Sequence, residues 1–288
     1  MSVFRGQVWV AGEALIDLLP GNIPVVGGGP ANTAKALANL GIKSYFVGGI
    51  SLDRYGEMID EDLSKSGVDL TLVNRSQLPT ALAKVTLDEN GSASYEFSLE
   101  NTATFDFGNW LPQGTPEVLH VGTLSTIVNP GAEALFSWAN SIKSHIVFDP
   151  NVRPSVLGDK ERYQKQFLKW AGISSIIKLS EEDLEWLDLS IEKILELGVE
   201  LVVLTKGAKG LSAFRKDEAI EVPGRKVEVI DTVGAGDTVG AVLVEALINF
   251  GELEGSNLKL VLERAALAAA ITCTRAGAKP PSLEELSE

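Results

Sequence analysis

The run Asp231-Thr232-Val233-Gly234-Ala235-Gly236-Asp237-Thr238 sets two carboxylates at either end of a glycine-rich turn. Immediately after it, Val239, Val242, Leu243, Ala246, Leu247 and Phe250 repeat at three and four residues before Gly251, which predicts a helix opening near Gly236. A turn of this kind aims unpaired N–H groups at one point, and the helix dipole adds partial positive charge there. Gly234, Ala235 and Gly236 are therefore a candidate anion hole. Asp237 stands at its edge, where a carboxylate would repel a phosphate unless its charge had a use. Taking the proton from an attacking hydroxyl is such a use. Two other readings stay open on these residues alone. A first-turn acid is favoured by the helix dipole without any catalytic role. Gly234, Gly236 and Gly240 also imitate a dinucleotide-binding fingerprint, although the third glycine comes one residue late and no acid-tipped strand follows at the required distance.

A second cluster, Gly27-Gly28-Gly29-Pro30-Ala31-Asn32, runs into another predicted helix, about Ala31 to Leu40, with Gly41 as its stop. Glycines let a polar ligand approach the backbone, and Asn32 offers both a donor and an acceptor to hydroxyl groups. Alone, the pattern is equally a plain turn before a helix.

The elements that must hold these clusters follow from the apolar runs Val8 to Ala11, Ser44 to Ile50, Val118 to Thr123, Ile146 to Asp149, Ser175 to Leu179 and Leu201 to Thr205. Helical patterns lie between several of them, the signature of βαβ units around a buried, mostly parallel sheet. Val227 to Ile230 reads as a further strand leading into the Asp231 turn, and Leu258 to Thr274, apolar almost all round, as a deeply buried helix. One stretch differs: Ala81 to Phe97 alternates around Asp88-Glu89-Asn90-Gly91, a hairpin signal. A small antiparallel flap is expected there, able to close over a ligand.

Composition narrows the partners. The 288 residues carry no linker-like division, so one core over residues 1–288 is expected. A formal charge of -14 argues against nucleic acid and anionic membrane surfaces as partners. An anionic ligand must then be met by local amides, a metal and a few chosen cations. One cysteine, Cys273, excludes an intrachain disulfide, and His120 and His145, both in strand-like runs, make no histidine-rich metal site. The first residues lack a signal-peptide pattern, since Glu13 and Asp17 interrupt the apolar stretch; a cytoplasmic protein is expected.

Taken together, the two clusters resemble the paired signatures of the PfkB, ribokinase-like carbohydrate kinases: Gly-Gly with Asn four residues later near the N-terminus, and Asp-Thr-x-Gly-Ala-Gly-Asp near the C-terminus. Further similarity lies in Gly12-Glu13-Ala14-Leu15-Ile16-Asp17, Asp149-Pro150-Asn151-Val152-Arg153-Pro154, Thr205-Lys206-Gly207-Ala208-Lys209-Gly210 and Cys273-Thr274-Arg275-Ala276-Gly277-Ala278. The resemblance implies a three-layer α/β/α fold with a mostly parallel central sheet and a small β lid from segments near 13–24 and 80–100. It implies transfer of the γ-phosphoryl of MgATP to a sugar, with Asp237 as base. Asp17, Gly27, Gly28, Asn32 and Arg153 are implied as sugar or phosphate contacts, and Lys178, Ser180, Thr205, Gly207 and Gly210 as the ATP site. Asp231 and the Val233 carbonyl are implied ligands of a monovalent cation such as K⁺. A monomer or homodimer is expected, with sugar and ATP as its ligands.

Departures from the family pattern matter. Its Asn-x-x-Glu element appears as Ser180-Glu181-Glu182-Asp183, so a water-bridged Mg²⁺ role for Asp183 is weakened by the shorter side chain. Gly29-Pro30 replaces the Lys-Gly common among ribokinases and sugar-phosphate kinases, which points to a neutral sugar and is closest to bacterial fructokinases. Tyr95-Glu96-Phe97 lacks the arginine with which ketodeoxygluconate kinases hold a carboxylate. Fructose, at a primary hydroxyl, is thus expected, with 2-keto-3-deoxygluconate as the alternative acceptor. A non-catalytic sensor on the same fold is the alternative from another class.

Overall fold

The computed structural model describes residues 7–87 and 93–287. β1 (Val8–Ala11) leads through β2 (Leu15–Leu19) and β3 (Ile23–Gly27) to α1 (Gly29–Asn39) and β4 (Ser44–Val47). β5 (Gly49–Ser51) and β6 (Asn74–Ser76) pair on either side of α2 (Arg54–Lys65), and β7 (Leu82–Leu87) with β8 (Ala93–Ser98) follows. Next come β9 (Val118–Gly122), α3 (Gly131–Ser141), β10 (His145–Asp149), α4 (Lys160–Ala171), β11 (Ile176–Ser180), α5 (Glu181–Leu187), α6 (Ile191–Leu195) and β12 (Leu201–Thr205). β13 (Gly210–Arg215), β14 (Glu218–Pro223), α7 (Ala235–Phe250) and α8 (Gly255–Cys273) complete the chain.

Among the described residues the main sheet has eight strands, in the order β14-β13-β12-β11-β10-β9-β1-β4. From β4 to β12 all neighbours are parallel, and β13 and β14 form an antiparallel edge. Side chains alternate across the strands: Val8 and Val10 face one core with α1, α7 and α8, while Trp9 and Ala11 face the other with α3 and α4. Two apolar layers sandwich the sheet, which is the three-layer α/β/α architecture expected.

The small sheet takes in strands from both expected segments, near 13–24 and 80–100, and is more than the hairpin read from Ala81 to Phe97. β7 and β8 pair antiparallel, but β2 pairs parallel with β7 and antiparallel with β3, giving a four-stranded mixed sheet. The parallel pair arises because β2 leaves the end of β1 in the direction from which the chain returns at Ala81, whose carbonyl accepts from Ile16 N–H at 3.1 Å. β3 carries the first lid segment on to Gly27, past the expected limit near residue 24. The Asp88–Gly91 turn lies outside the described residues.

Two helix and strand expectations need correction. Val227 to Ile230 is not a strand: Ile230 and Asp231 donate to the Cys273 carbonyl at the end of α8, and Val229 and Ile230 face solvent. Its β-rich composition is overridden by these tertiary contacts. α8 is not deeply buried all round either. Its Val261, Leu262, Ala265 and Ala268 face the core, whereas Leu260 is exposed and Leu267 and Ile271 are half-buried.

Candidate active site

The C-terminal ends of β9, β10 and β11 open toward the N-terminus of α7, and the polar residues converge there. Gly234, the N-cap of α7, adopts φ +80, and a Cβ there would meet Ala278 Cβ at 2.6 Å, so only glycine fits the turn. Thr238 Oγ1 donates to the Gly234 carbonyl at 2.8 Å and pins the first turn. Ala235 N–H is drawn into the turn by the Thr232 carbonyl at 3.3 Å. The unpaired amides of the turn are therefore those of Gly234, Gly236 and Asp237, which have no backbone acceptor among the described residues, and not the expected trio that included Ala235.

Asp237 is buried, and its Oδ2 accepts from Asn32 Nδ2 at 2.9 Å. Residues 205 positions apart thus meet directly, so the two sequence clusters are one site. Burial first, and then the Asp149 carboxylate, push the Asp237 carboxyl up to about 6, while Lys178, Asn32 and Arg153 pull it back. It is a better proton acceptor than a free aspartate, yet stays charged at neutral pH. Oδ1 looks toward Gly29, where an added Cβ would stand 3.3 Å from it, 2.5 Å from Thr123 Oγ1 and 3.4 Å from Asn151 Nδ2. A side chain at position 29 would crowd Thr123 Oγ1 and enter the space beside Asp237 Oδ1.

The lid supplies Asp17, half-buried on β2. A Cβ at Gly27 would lie 2.3 Å from Asp17 Oδ2, so that glycine makes room for the carboxylate. Burial raises the Asp17 carboxyl to about 6, opposed by the charge of Arg153. Arg153 is exposed, and its guanidinium also donates to the Val152 carbonyl at 3.1 Å. Gly28 caps α1. Asn32 thus meets Asp237 directly, Asp17, Gly27 and Gly28 lie on the elements that lead into α1, and Arg153 is within electrostatic reach of both carboxylates.

The expected nucleotide residues divide. Lys178 is buried, and its ammonium donates to Asp149 Oδ2 at 2.6 Å. Its Nζ lies 3.1 Å from the place of a Gly236 Cβ, so it sits beneath the anion hole instead of in an open nucleotide cleft. Ser180 is occupied as the N-cap of α5 in a capping box with Asp183. Asp183 Oδ1 also accepts from Val152 N–H at 2.8 Å. Both oxygens therefore tie the end of β11 to the loop after β10, a structural duty that weakens the metal role expected for Asp183. Thr205 and Gly207 line the turn between β12 and β13, whereas a Cβ at Gly210 would collide with the Val222 carbonyl at 2.1 Å, so its requirement is packing. Asp231 accepts from Val233 N–H at 3.0 Å through Oδ1 and from Gly277 N–H at 2.8 Å through Oδ2. Its carboxyl is held low by these amides.

Sequence reasoning missed Glu13 and Thr123. Glu13 is buried and accepts from Ser125 Oγ at 2.6 Å, Ser125 N–H at 3.0 Å and Leu124 N–H at 3.3 Å. Burial lifts its carboxyl to about 7. This grip holds the turn in which Thr123, a β-branched residue, adopts φ +56, a strained state typical of functional turns. A buried acid inside an apolar run was the available signal.

Comparison with known proteins agrees with this geometry. Residues 24–286 match the pfkB family carbohydrate kinase model. The chain is 39% identical over 264 residues to a fructokinase of Rhizobium leguminosarum bv. trifolii, covering 84% of this chain and 79% of that protein. A Vibrio alginolyticus fructokinase is 32% identical over 262 residues, covering 82% and 83%. Among solved structures, the ATP-bound fructokinase of Xylella fastidiosa superposes with a TM-score of 0.89 at 25% identity, over 98% of this chain and 97% of that one. A Vibrio cholerae fructokinase with fructose, ADP and calcium bound gives 0.82 at 27% identity, over 96% and 95%. With both signature clusters meeting at Asp237 and the match running through nearly the whole chain, the protein belongs to the PfkB family of carbohydrate kinases.

Proposed function

We propose that this kinase transfers the γ-phosphoryl group of ATP to a primary hydroxyl of fructose, with Asp237 as the base. The observation that carries the reading is the buried Asp237 carboxylate, tied on one oxygen by Asn32 and open on the other toward a neutral, glycine-lined sugar pocket. The attacking hydroxyl donates to Asp237 Oδ1, and its proton passes there as the new P–O bond forms and the bond to the leaving oxygen breaks. The amides of Gly234, Gly236 and Asp237 meet the charge that develops on the transferring group. Positioning supplies much of the rest: Asn32 and Asp17 orient hydroxyls, and closure of the lid excludes water.

Magnesium fits as a passenger of the nucleotide. Among the described residues no three His, Cys, Asp or Glu side chains gather to hold a metal, and Mg²⁺ characteristically rides on substrate phosphates with few protein ligands. When bound it supplies positive charge on those phosphates. Asp231 and the Val233 carbonyl remain the proposed monovalent-cation ligands, because each Asp231 oxygen keeps a lone pair beyond the amide it accepts. Equal rates in K⁺ and in a bulky organic cation would remove that role.

Fructose is favoured over an acidic sugar by charge. Arg153, a candidate carboxylate partner, is already within electrostatic reach of Asp17, and Lys84 is registered opposite Glu96 across β7 and β8. The site offers little unbalanced positive charge to an acid. Measured side by side at saturating MgATP, kcat/KM for fructose is expected to exceed that for 2-keto-3-deoxygluconate; the reverse order overturns the substrate assignment.

A further inference from the structure

Beneath the anion hole lies a charge array that phosphate contact and proton abstraction do not by themselves require. Asp149 ends β10, Lys178 is in the middle of β11 on the neighbouring strand, and both side chains are almost wholly buried, at 2% and 5% exposure. Their contact is 2.6 Å. A buried ion pair is costly to assemble and is weak as a stabiliser, since a well-packed apolar pair of similar volume often does as well or better. Its retention therefore asks for another duty.

The geometry names one. The Lys178 ammonium is under Gly236, one residue before Asp237, and Asp237 and Asp183 both lie within its electrostatic reach besides Asp149. Asp149 acts on Asp237 as well, in the opposite sense. The remaining groups facing Asp237 and Lys178 are few. From β9 comes His120, held neutral at working pH because burial and then Lys178 depress it to about 3. From the loop after β10 comes Arg153, from α1 the uncharged Asn32, and from α5 Asp183. Besides the exposed Arg153, one buried cation thus stands among several carboxylates. Asp149 Oδ1 has no partner among the described residues, so the clamp is a single contact and Lys178 keeps donors to spare.

We propose that Lys178, clamped by Asp149, is the fixed counter-charge of Asp237, keeping a carboxylate at the edge of the anion hole when the hydroxyl arrives. Lys178 is on this view a positioning residue that acts through Asp237, and Asp149 is what keeps it from collapsing onto the base. The inference rests on the reading of Asp237 as the base, and deepens it.

The test uses three variants of the full chain: Lys178→Met, Asp149→Asn, and the two combined. Each is read in two ways: the acid limb of kcat against pH, and the titration of the Asp237 carboxyl by ¹³C NMR without substrate. Loss of the Lys178 cation raises the midpoint of Asp237, so the acid limb moves to higher pH. Loss of the Asp149 anion lowers it and frees Lys178 to approach Asp237, so the limb moves to lower pH. Shifts of about one pH unit or more, in opposite directions, are expected for charges at this range in a buried site. The combined variant, which removes both members of the buried pair, is expected to fold and to titrate above Asp149→Asn. Should Lys178→Met fail to fold, the other two still decide. Midpoints that stay in place in Asp149→Asn, or that move the same way in both single variants, overturn the proposal. If fructose is not phosphorylated at all, the NMR titration still reports on the pair, so failure of the substrate reading and failure of this one remain separable.

Discussion

The two walls of the site are made differently. The wall proposed to meet phosphate is built from backbone: strand ends of a buried parallel sheet and the first turn of α7, fixed by Thr238, by Gly234 against Ala278 and by the Lys178–Asp149 pair. The wall proposed to meet the sugar draws Asp17 and Gly27 from a four-stranded lid whose β2 and β3 leave Leu19, Ile23 and Val25 in solvent. One wall sits in a continuous core; the other is a small sheet with open edges, which has limited stability of its own. On the proposed reading the contrast is a division of labour, in which the continuous core holds the phosphoryl-transfer groups and the small sheet bears on sugar choice.

Damage should therefore read out differently on the two sides. Gly234→Val, which forces a Cβ into Ala278 at a left-handed backbone position, is expected to lower kcat/KM by about 10³-fold, the scale of a lost oxyanion-type donor. Loss of fructose affinity alone, with kcat intact, would contradict the assignment of that wall to phosphate. Asp17→Asn on the lid should instead raise the fructose KM by about 10- to 100-fold, the range of a buried hydrogen bond left unmade. The ATP KM is expected to stay in place, and a matching change in both constants would erase the division. The smallest effect is in hydrogen exchange. Amides of β7 and β8 should slow several-fold when fructose binds, while those of β9 to β12 stay as they are. No change in the lid strands would mean that the sugar side is as fixed as the phosphate side.

The same contrast decided what was legible in the sequence. Parallel strands such as Val8–Ala11 and Leu201–Thr205, buried on both faces, show as plain apolar runs, and α7 shows through its spacing and its stop at Gly251. From the residues alone the lid showed only its hairpin, and its segment near 13–24 came from the family resemblance, because a parallel pairing between β2 and β7 joins segments far apart in the chain and leaves no local mark. Val227 to Ile230 carried a strand's composition, but its hydrogen bonds go to the end of α8. At the site, glycine spacing and Asn32 pointed to the two clusters, whereas the Asn32–Asp237 contact needs the fold to bring them together. The duties of Glu13, Thr123 and Lys178 depend on burial. Ser180 and Asp183 show the converse, for their polarity marked a ligand role that the capping of α5 now largely occupies.

The central claim, that Asp237 takes the sugar's proton beside the anion hole, is tested most directly by Asp237→Asn. The variant is nearly isosteric and keeps an oxygen for Asn32. Calorimetry should find ATP and fructose binding close to wild type, while kcat falls by at least about 10²-fold, the usual scale of a lost general base. Turnover near the wild-type rate in a folded, ligand-binding Asp237→Asn protein would contradict the account.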